Sequence, residues 1–358
     1  MNKLDNDKVI KKLDPKKVLA SIEMLSKQFD QAWQAAGKIV LPAGYRNIDK
    51  IVVNGMGGSA LGAQIIHSVF QSQMKLPFEI INSYTLPGTV DQRTLYIISS
   101  YSGSTEEPLA TIAVAKSRGA KVIGITAGGR LAELIKKNDI AGYVFDPIFN
   151  PSAQPRIGLG YSIGAQLAIL KKLGVLKVSP IEIKNLLNNL SRFDSKFGFS
   201  VPTAKNPAKQ LAKKLLGKIP IVVASEFLSG NAHVLANQFN ENAKTFSAYF
   251  LISELNHHLL EGLRFPAVNQ KLLTFIFLES GLYQRKNQIR YKITKQVVTK
   301  NKISHLTYSL QSATKLAQAM EALAFGSYVS FYLAILNGIN PAKIPFVDYF
   351  KTQLSRLS

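Results

Sequence analysis

The sequence contains no cysteine. That excludes a disulfide framework, a thiolate nucleophile and any zinc or iron–sulfur centre held by thiolates. It also fits a cytoplasmic location, where bridges are rare. Acidic residues are scarce: 22 Asp and Glu stand against 44 Lys and Arg, a formal charge of +22. Low-complexity tracts are absent. The first 17 residues are charged throughout and lack the apolar core of an export signal. No stretch reads as the roughly 18 consecutive apolar residues of a membrane span. What is there is ordinary for a globular chain: 46% hydrophobic and 18% charged residues over 358 positions. This balance excludes a disordered chain, a collagen-like repeat and a coiled-coil rod. At about 100–200 residues per domain, the length predicts two domains or one large one.

The positive charge attracts anions of every kind, whether nucleic acid, acidic lipid or a phosphorylated substrate. The excess is spread along the chain. Its densest patches are Tyr283–Lys302, with seven basic residues and no acid, and Ala204–Lys218, with five Lys. Neither has the interleaved aromatics of a stacking platform for single strands. The reading is a generally basic surface, with neither nucleic acid nor membrane as the expected partner.

Residues 1–48 read as a helical lead-in. Val18, Ile22, Leu25 and Phe29 recur at helical spacing after Asp14-Pro15, a helix-start signal. Short β-rich runs then alternate with helical segments: Ile51–Val53, Phe78–Ile81, Leu95–Ile98, Val122–Ile125 and Tyr143–Phe145. Such alternation predicts an α/β fold with a doubly wound parallel sheet. Helical stretches follow at Gly158–Gly174 and Ile181–Phe193, and Phe197–Asn206 reads as a linker. The pattern restarts with strands at Ile219–Ala224, Thr245–Tyr249, Leu272–Leu278 and Ser304–Leu310. Helices are expected at Gly230–Asn240, Ser312–Asn337 and Ile344–Leu357. The segments beginning at Lys50 and Lys218 share one order: charged start, apolar strand, Gly/Ser turn, helix. This predicts a duplicated α/β domain, with a first copy at 49–196 and a second at 197–358.

Two segments carry candidate chemistry. Asn54-Gly55-Met56-Gly57-Gly58-Ser59-Ala60 joins a strand to a helix. Glycines there let backbone approach a ligand, and a helix N-terminus offers free N–H groups to a phosphate. It is neither a Walker A loop nor a dinucleotide fingerprint. A plain tight turn is the other reading. Ser99-Ser100-Tyr101-Ser102-Gly103-Ser104-Thr105-Glu106 also joins a strand to a helix. Its hydroxyls exceed what one N-cap needs.

Together these segments resemble the sugar isomerase (SIS) domain, which binds phosphosugars at the carboxyl ends of its strands. Two tandem copies resemble the phosphoglucose isomerase superfamily. The second half sharpens the resemblance. The run from Asn237 through Glu241 to Lys244, the Glu254–His257 spacing and the carboxyl end around Lys351 resemble segments of the bifunctional phosphoglucose/phosphomannose isomerases. The resemblance spans Asp49 to Leu354. It implies two flavodoxin-like three-layer domains and a cofactor-free, metal-free aldose–ketose isomerisation of 6-phosphohexoses. It implies Glu241 as general base, His257 as ring-opening acid/base, Arg156 as stabiliser of the enediolate and Lys351 as assistant at the ring oxygen. Gly57, Gly58, Ser59, Ser100, Ser102 and Thr105 would hold the phosphate. In the family the His comes from a neighbouring subunit, which implies a homodimer. His257 is followed by His258 where many members have Asn. The two are adjacent, so in a regular element they point apart, and no metal site is expected. A second reading is a non-catalytic phosphosugar-binding regulator whose basic surface contacts nucleic acid. A third, the isomerase half of an aminosugar synthase, lacks its N-terminal Cys nucleophile and glutaminase domain.

Overall fold

The computed structural model describes residues 3–357. The lead-in holds three helices, α1 (Asp7–Leu13), α2 (Val18–Glu23) and α3 (Leu25–Ala36). Asp14 starts α2 as its sequence suggests: its carboxylate accepts the N–H groups of Val18 and Leu19 at 2.8 and 2.9 Å. The stripe Val18, Ile22, Leu25 and Phe29 is buried, although the helix breaks at Met24.

Two parallel sheets follow. The first comprises β1 (Lys50–Asn54), β2 (Phe78–Ile81), β3 (Thr94–Ser99), β4 (Lys121–Thr126) and β5 (Ala141–Val144), in the order β2-β1-β3-β4-β5. The second comprises β6 (Ile219–Ala224), β7 (Ala248–Leu251), β8 (Leu273–Glu279) and β9 (Ser304–Ser309), in the order β7-β6-β8-β9. In each sheet the chain moves one way to an edge and then crosses back past its first strand. Such a reversal opens a crevice at the carboxyl ends of the strands, between β1 and β3 and between β6 and β8.

Helices cover both faces of the first sheet, which explains its continuous apolar strands. β3 is buried at every position. Ile51, Val53, Leu95 and Ile97 join a core shared with α4 (Gly58–Phe70) and α7 (Leu159–Lys172). Val52, Tyr96, Ile98 and Val122 face the other way, with Ile112 of α5 (Glu106–Ser117) and Leu131 of α6 (Gly129–Lys136). The lead-in belongs to the first of these cores. α3 lies on α7 at Gly160 and Gly164, where a Cβ would come within 2.6 Å of Gln28 Cβ and of the Phe29 carbonyl.

After α8 (Pro180–Phe197) the segment that reads as a linker is packed in place. Asn206 Nδ2 donates to the carbonyls of Phe197 and Gly198 while its Oδ1 caps α9 (Pro207–Leu215). Fully buried Lys209 donates to the carbonyls of Phe199 and Val201 and to Asp5, at 2.8, 2.9 and 2.9 Å. The second sheet carries α10 (Ser229–Ala243), α11 (Ile252–Gly262), a short α12 (Asn269–Leu272), α13 (Arg285–Lys300), α14 (Lys315–Leu336) and α15 (Pro345–Leu357).

Two sequence expectations change, and one segment with no expected element proves helical. The strand expected at Thr245–Tyr249 lies at Ala248–Leu251, because Lys244 turns left-handed to end α10 (φ 49°). The basic patch Tyr283–Lys302 is mostly helix α13, with Tyr291, Thr294 and Val298 turned inward. And Lys315–Leu336 is long and apolar enough to cross a membrane, contrary to the expectation of no such stretch. Within that helix 94% of the apolar window is buried in the fold, where a central helix needs no polar face.

Candidate active site

Two loops bound the first crevice. The loop after β1 enters α4 at Gly58, which touches the backbone of Arg156. A Cβ on Gly58 would lie 2.7 Å from Arg156 N and 2.9 Å from its Cα. Glycine is what lets this loop meet the segment that carries the arginine. Among the described residues no acceptor meets the N–H groups of Gly57 and Gly58, at the positive end of α4.

The second loop runs from Ser99 to Thr105, the N-cap of α5. Ser59 Oγ accepts the Tyr101 N–H at 2.9 Å, and Ser99 Oγ donates to the Ser59 carbonyl at 2.7 Å. The two motifs are therefore stitched to each other. Ser100 is fully buried; its hydroxyl accepts the Gly103 N–H and pairs with Thr105 Oγ1 at 2.9 Å. Ser102 is exposed and Thr105 half-buried. Gly103 is left-handed (φ 68°) and has no room behind it: a Cβ would overlap the Gly128 carbonyl at 1.7 Å. The N–H groups of Ser102 and Thr105 meet no acceptor among the described residues. Free amides and hydroxyls thus face one crevice, an arrangement suited to a phosphate.

A charged cluster lies beside it. Glu241 stands in the last turn of α10, one residue beyond the helix end that the sequence pattern predicts. Its carboxylate is 3.4 Å from Arg156 Nη1 and stays 30% exposed. Burial raises its pKa above the ordinary carboxylate value, while Arg156, Lys244 and Lys351 pull it back. The helix carboxyl end is also the negative end of the dipole, which further disfavours an anion. A carboxylate of raised pKa with open lone pairs is suited to take up a proton.

Arg156 is 2% exposed. Nε donates to Asn242 Oδ1 and Nη1 to Gln154 Oε1, both at 2.7 Å. Nη2 donates to the carbonyls of Pro341 and Ala342 at 2.8 and 3.0 Å. Its direction is fixed, so its charge is held against Glu241 rather than free to move. Lys351, exposed on α15, lies close enough to lower the pKa of Glu241. His257 is exposed on α11 and makes no hydrogen bond or ion pair among the described residues. His258 Nε2 stands 3.9 Å from Glu254 Oε1. One chain therefore gathers Glu241, Arg156 and Lys351, and His257 makes no contact with them among the described residues.

Asn242, Gln154 and Lys244 belong to this site and carry no sequence-derived role. Their signal was adjacency: Asn242 and Lys244 flank the expected base, and Gln154 precedes Arg156 by two positions. What they do depends on contacts with distant turns.

Two parallel sheets of one strand order, with a glycine- and serine-lined crevice in the first, define a protein of the tandem SIS class. Residues 44–144 match the SIS domain family, and residues 204–354 match the bacterial phospho-glucose isomerase C-terminal SIS domain. A bifunctional phosphoglucose/phosphomannose isomerase from Caldicellulosiruptor bescii is 34% identical over 94% of this chain and 98% of its own length. Another from Aquifex aeolicus is 26% identical over 94% of this chain and 97% of its own. Among solved structures, a hypothetical protein from Thermus thermophilus shares the fold, with a TM-score of 0.74 at 16% identity, covering 98% of this chain and 94% of that one. The chain belongs to the bifunctional phosphoglucose/phosphomannose isomerase family, a family of enzymes.

Proposed function

We propose that this chain interconverts glucose 6-phosphate and mannose 6-phosphate with fructose 6-phosphate through an enediolate. The observation that carries the reading is the Glu241–Arg156 pair, joined through the Arg156 backbone to Gly58 of the first crevice. An aldose–ketose isomerisation moves a proton between neighbouring carbons with no net redox change, so acid–base groups suffice for it. Gly57 and Gly58 amides, with Ser59, Ser102 and Thr105, hold the phosphate, whereas Ser100, expected among them, is buried and spends its hydroxyl on Gly103 N–H and Thr105 within the loop. Anchored this way, the sugar presents C1 and C2 to Glu241. Glu241 takes the proton from one carbon and returns it to the other. The fixed charge of Arg156 stabilises the enediolate. Lys351 assists at the ring oxygen. Rotation of the enediol about C2–C3 before reprotonation accounts for two epimeric products from one base.

His257 supplies ring-opening acid–base help to the site of a second copy, within a homodimer. Its exposure on α11, with no hydrogen bond or ion pair among the described residues, supports that assignment. The test is a coupled assay on fructose 6-phosphate that follows both aldose products separately, with Glu241→Gln as the control. Both products from the wild type and neither from the variant are expected. A folded dimer that binds phosphosugar yet forms neither product overturns the enzyme reading for these substrates. Mixing Glu241→Gln with His257→Ala chains tests the shared site: restored activity in the mixture is expected, and none contradicts it.

A further inference from the structure

Lys244 has no part in the reaction just described, yet its ammonium is committed. Nζ donates to the carbonyls of Asn340 and Pro341 at 3.0 and 3.2 Å, and to that of Asn242 at 3.3 Å. Arg156 Nη2 takes the carbonyls of Pro341 and Ala342. Two cations beside the base thus grip three successive carbonyls of one turn. Asn340 Oδ1 closes the same turn by accepting the Ala342 N–H at 2.8 Å.

The turn joins two unlike helices. α14 is buried from Leu316 to Ile335, whereas no residue of α15 is buried. α15 therefore packs far less into the core than α14 does. The chain enters α15 from the segment that Lys244 and Arg156 hold, Asp348 on α15 faces Arg156, and α15 carries Lys351.

We propose that Lys244 is a positioning residue: with Arg156 it clamps the Asn340–Ala342 turn, and the clamp sets where Lys351 stands relative to Glu241. This rests on the isomerase reading of Glu241 and Lys351. The clamp has a pH limit. Burial, then repulsion from Arg156, lowers the pKa of Lys244 to about 8, with Glu241 opposing. Behind those two, Asp348 faces Arg156 and Lys351 faces Glu241. As pH rises through about 8 the ammonium becomes an amine and a weaker donor to the carbonyls. The rate then falls on its alkaline side. An arginine at this position does not titrate there and moves that limb upward.

The experiment is a double-mutant cycle of Lys244→Met and Lys351→Met, read as kcat and KM for fructose 6-phosphate. Amide hydrogen exchange over residues 338–345 is followed in parallel. Lys244→Met should lower kcat on the order of 10–100-fold with little change in KM, as a displaced group does. The double variant should match Lys351→Met alone, and exchange in the turn should accelerate in Lys244→Met but not in Lys351→Met. Additive losses, or unchanged exchange, overturn the proposal. Lys244→Arg should keep most of the activity and shift the alkaline limb; it also serves if the Met variant does not fold. An alkaline limb unmoved by Arg contradicts the titration of Lys244. If the wild type isomerises nothing, the underlying reading fails, and the exchange data still decide whether the clamp exists.

Discussion

Between β1 and β3 the crevice is lined by glycines and hydroxyls, with amides left open. Between β6 and β8 the protein fills it. The N–H of Ser225, after β6, is accepted by the hydroxyl of Tyr283 at 3.3 Å, and that buried ring stacks on Tyr291. Glu226 turns its carboxylate onto Gln284 N and Asn287 Nδ2, both at 2.8 Å, where α13 begins. A carboxylate of the chain itself stands at the helix start that corresponds to the open amides of Ser102 and Thr105. Both halves repeat one strand order and one preference for an anion at that spot. The second satisfies the preference internally, and the base proposed for it lies instead at the carboxyl end of α10. On the proposed reading the same fold carries a binding face in one copy and a base in the other, because function depends on the site and not on the sheet.

The comparison can be broken most forcefully at Glu241. Glu241→Gln should lower kcat by roughly 10²–10⁴, the usual worth of a positioned base, while phosphosugar binding persists. A steady-state assay beside calorimetric titration separates the two. Next comes Arg156→Met. It removes the charge beside Glu241 and strands the Asn242, Gln154, Pro341 and Ala342 acceptors, for a stability loss of at least about 2 kcal/mol. It also changes the pH profile in a fixed direction. Glu241 must be ionised to act, burial raises its pKa, and Arg156 opposes that rise. The acid limb of kcat/KM should therefore be displaced upward from the ordinary carboxylate value, and further upward in the variant.

Smaller effects sharpen the contrast between the crevices. Ser59→Ala leaves the Tyr101 N–H without its acceptor and takes a hydroxyl from the first crevice. A rise in KM of roughly 5–10-fold is expected, equivalent to about 1 kcal/mol. Tyr283→Phe removes the acceptor of Ser225 N–H in the second. It should lower the unfolding free energy by about 1 kcal/mol and leave KM unchanged. Matching KM effects from both variants would erase the distinction between the crevices.

Much of this was legible in the chain. Periodicity gave the five strands of the first sheet and their order of appearance, since each strand is a short apolar run bounded by turns. Glycine and hydroxyl residues marked both loops of the first crevice. Glu241 and Arg156 came from a family resemblance, because neither an isolated Glu nor an isolated Arg carries a local signal. What escaped was long-range. Arg156 meets a turn 185 residues away, and no local pattern foretells that contact. The use of Lys244 depends on the same turn. α13 hid behind its charge: its few inward residues, Tyr291, Thr294 and Val298, make a weak stripe amid six basic positions. The burial of Lys209 against Asp5 was equally silent, since a lysine in a basic segment reads as solvated.

The central claim is that one half holds the phosphate while the other moves the proton. It is tested most directly by incubating fructose 6-phosphate with the protein in D2O and following deuterium at C2 of both aldose products by NMR. The account predicts deuterium at C2 of glucose 6-phosphate and mannose 6-phosphate with the wild type. With Glu241→Gln it predicts none, although the variant still binds the phosphosugar. Deuterium incorporation that survives in Glu241→Gln would contradict it.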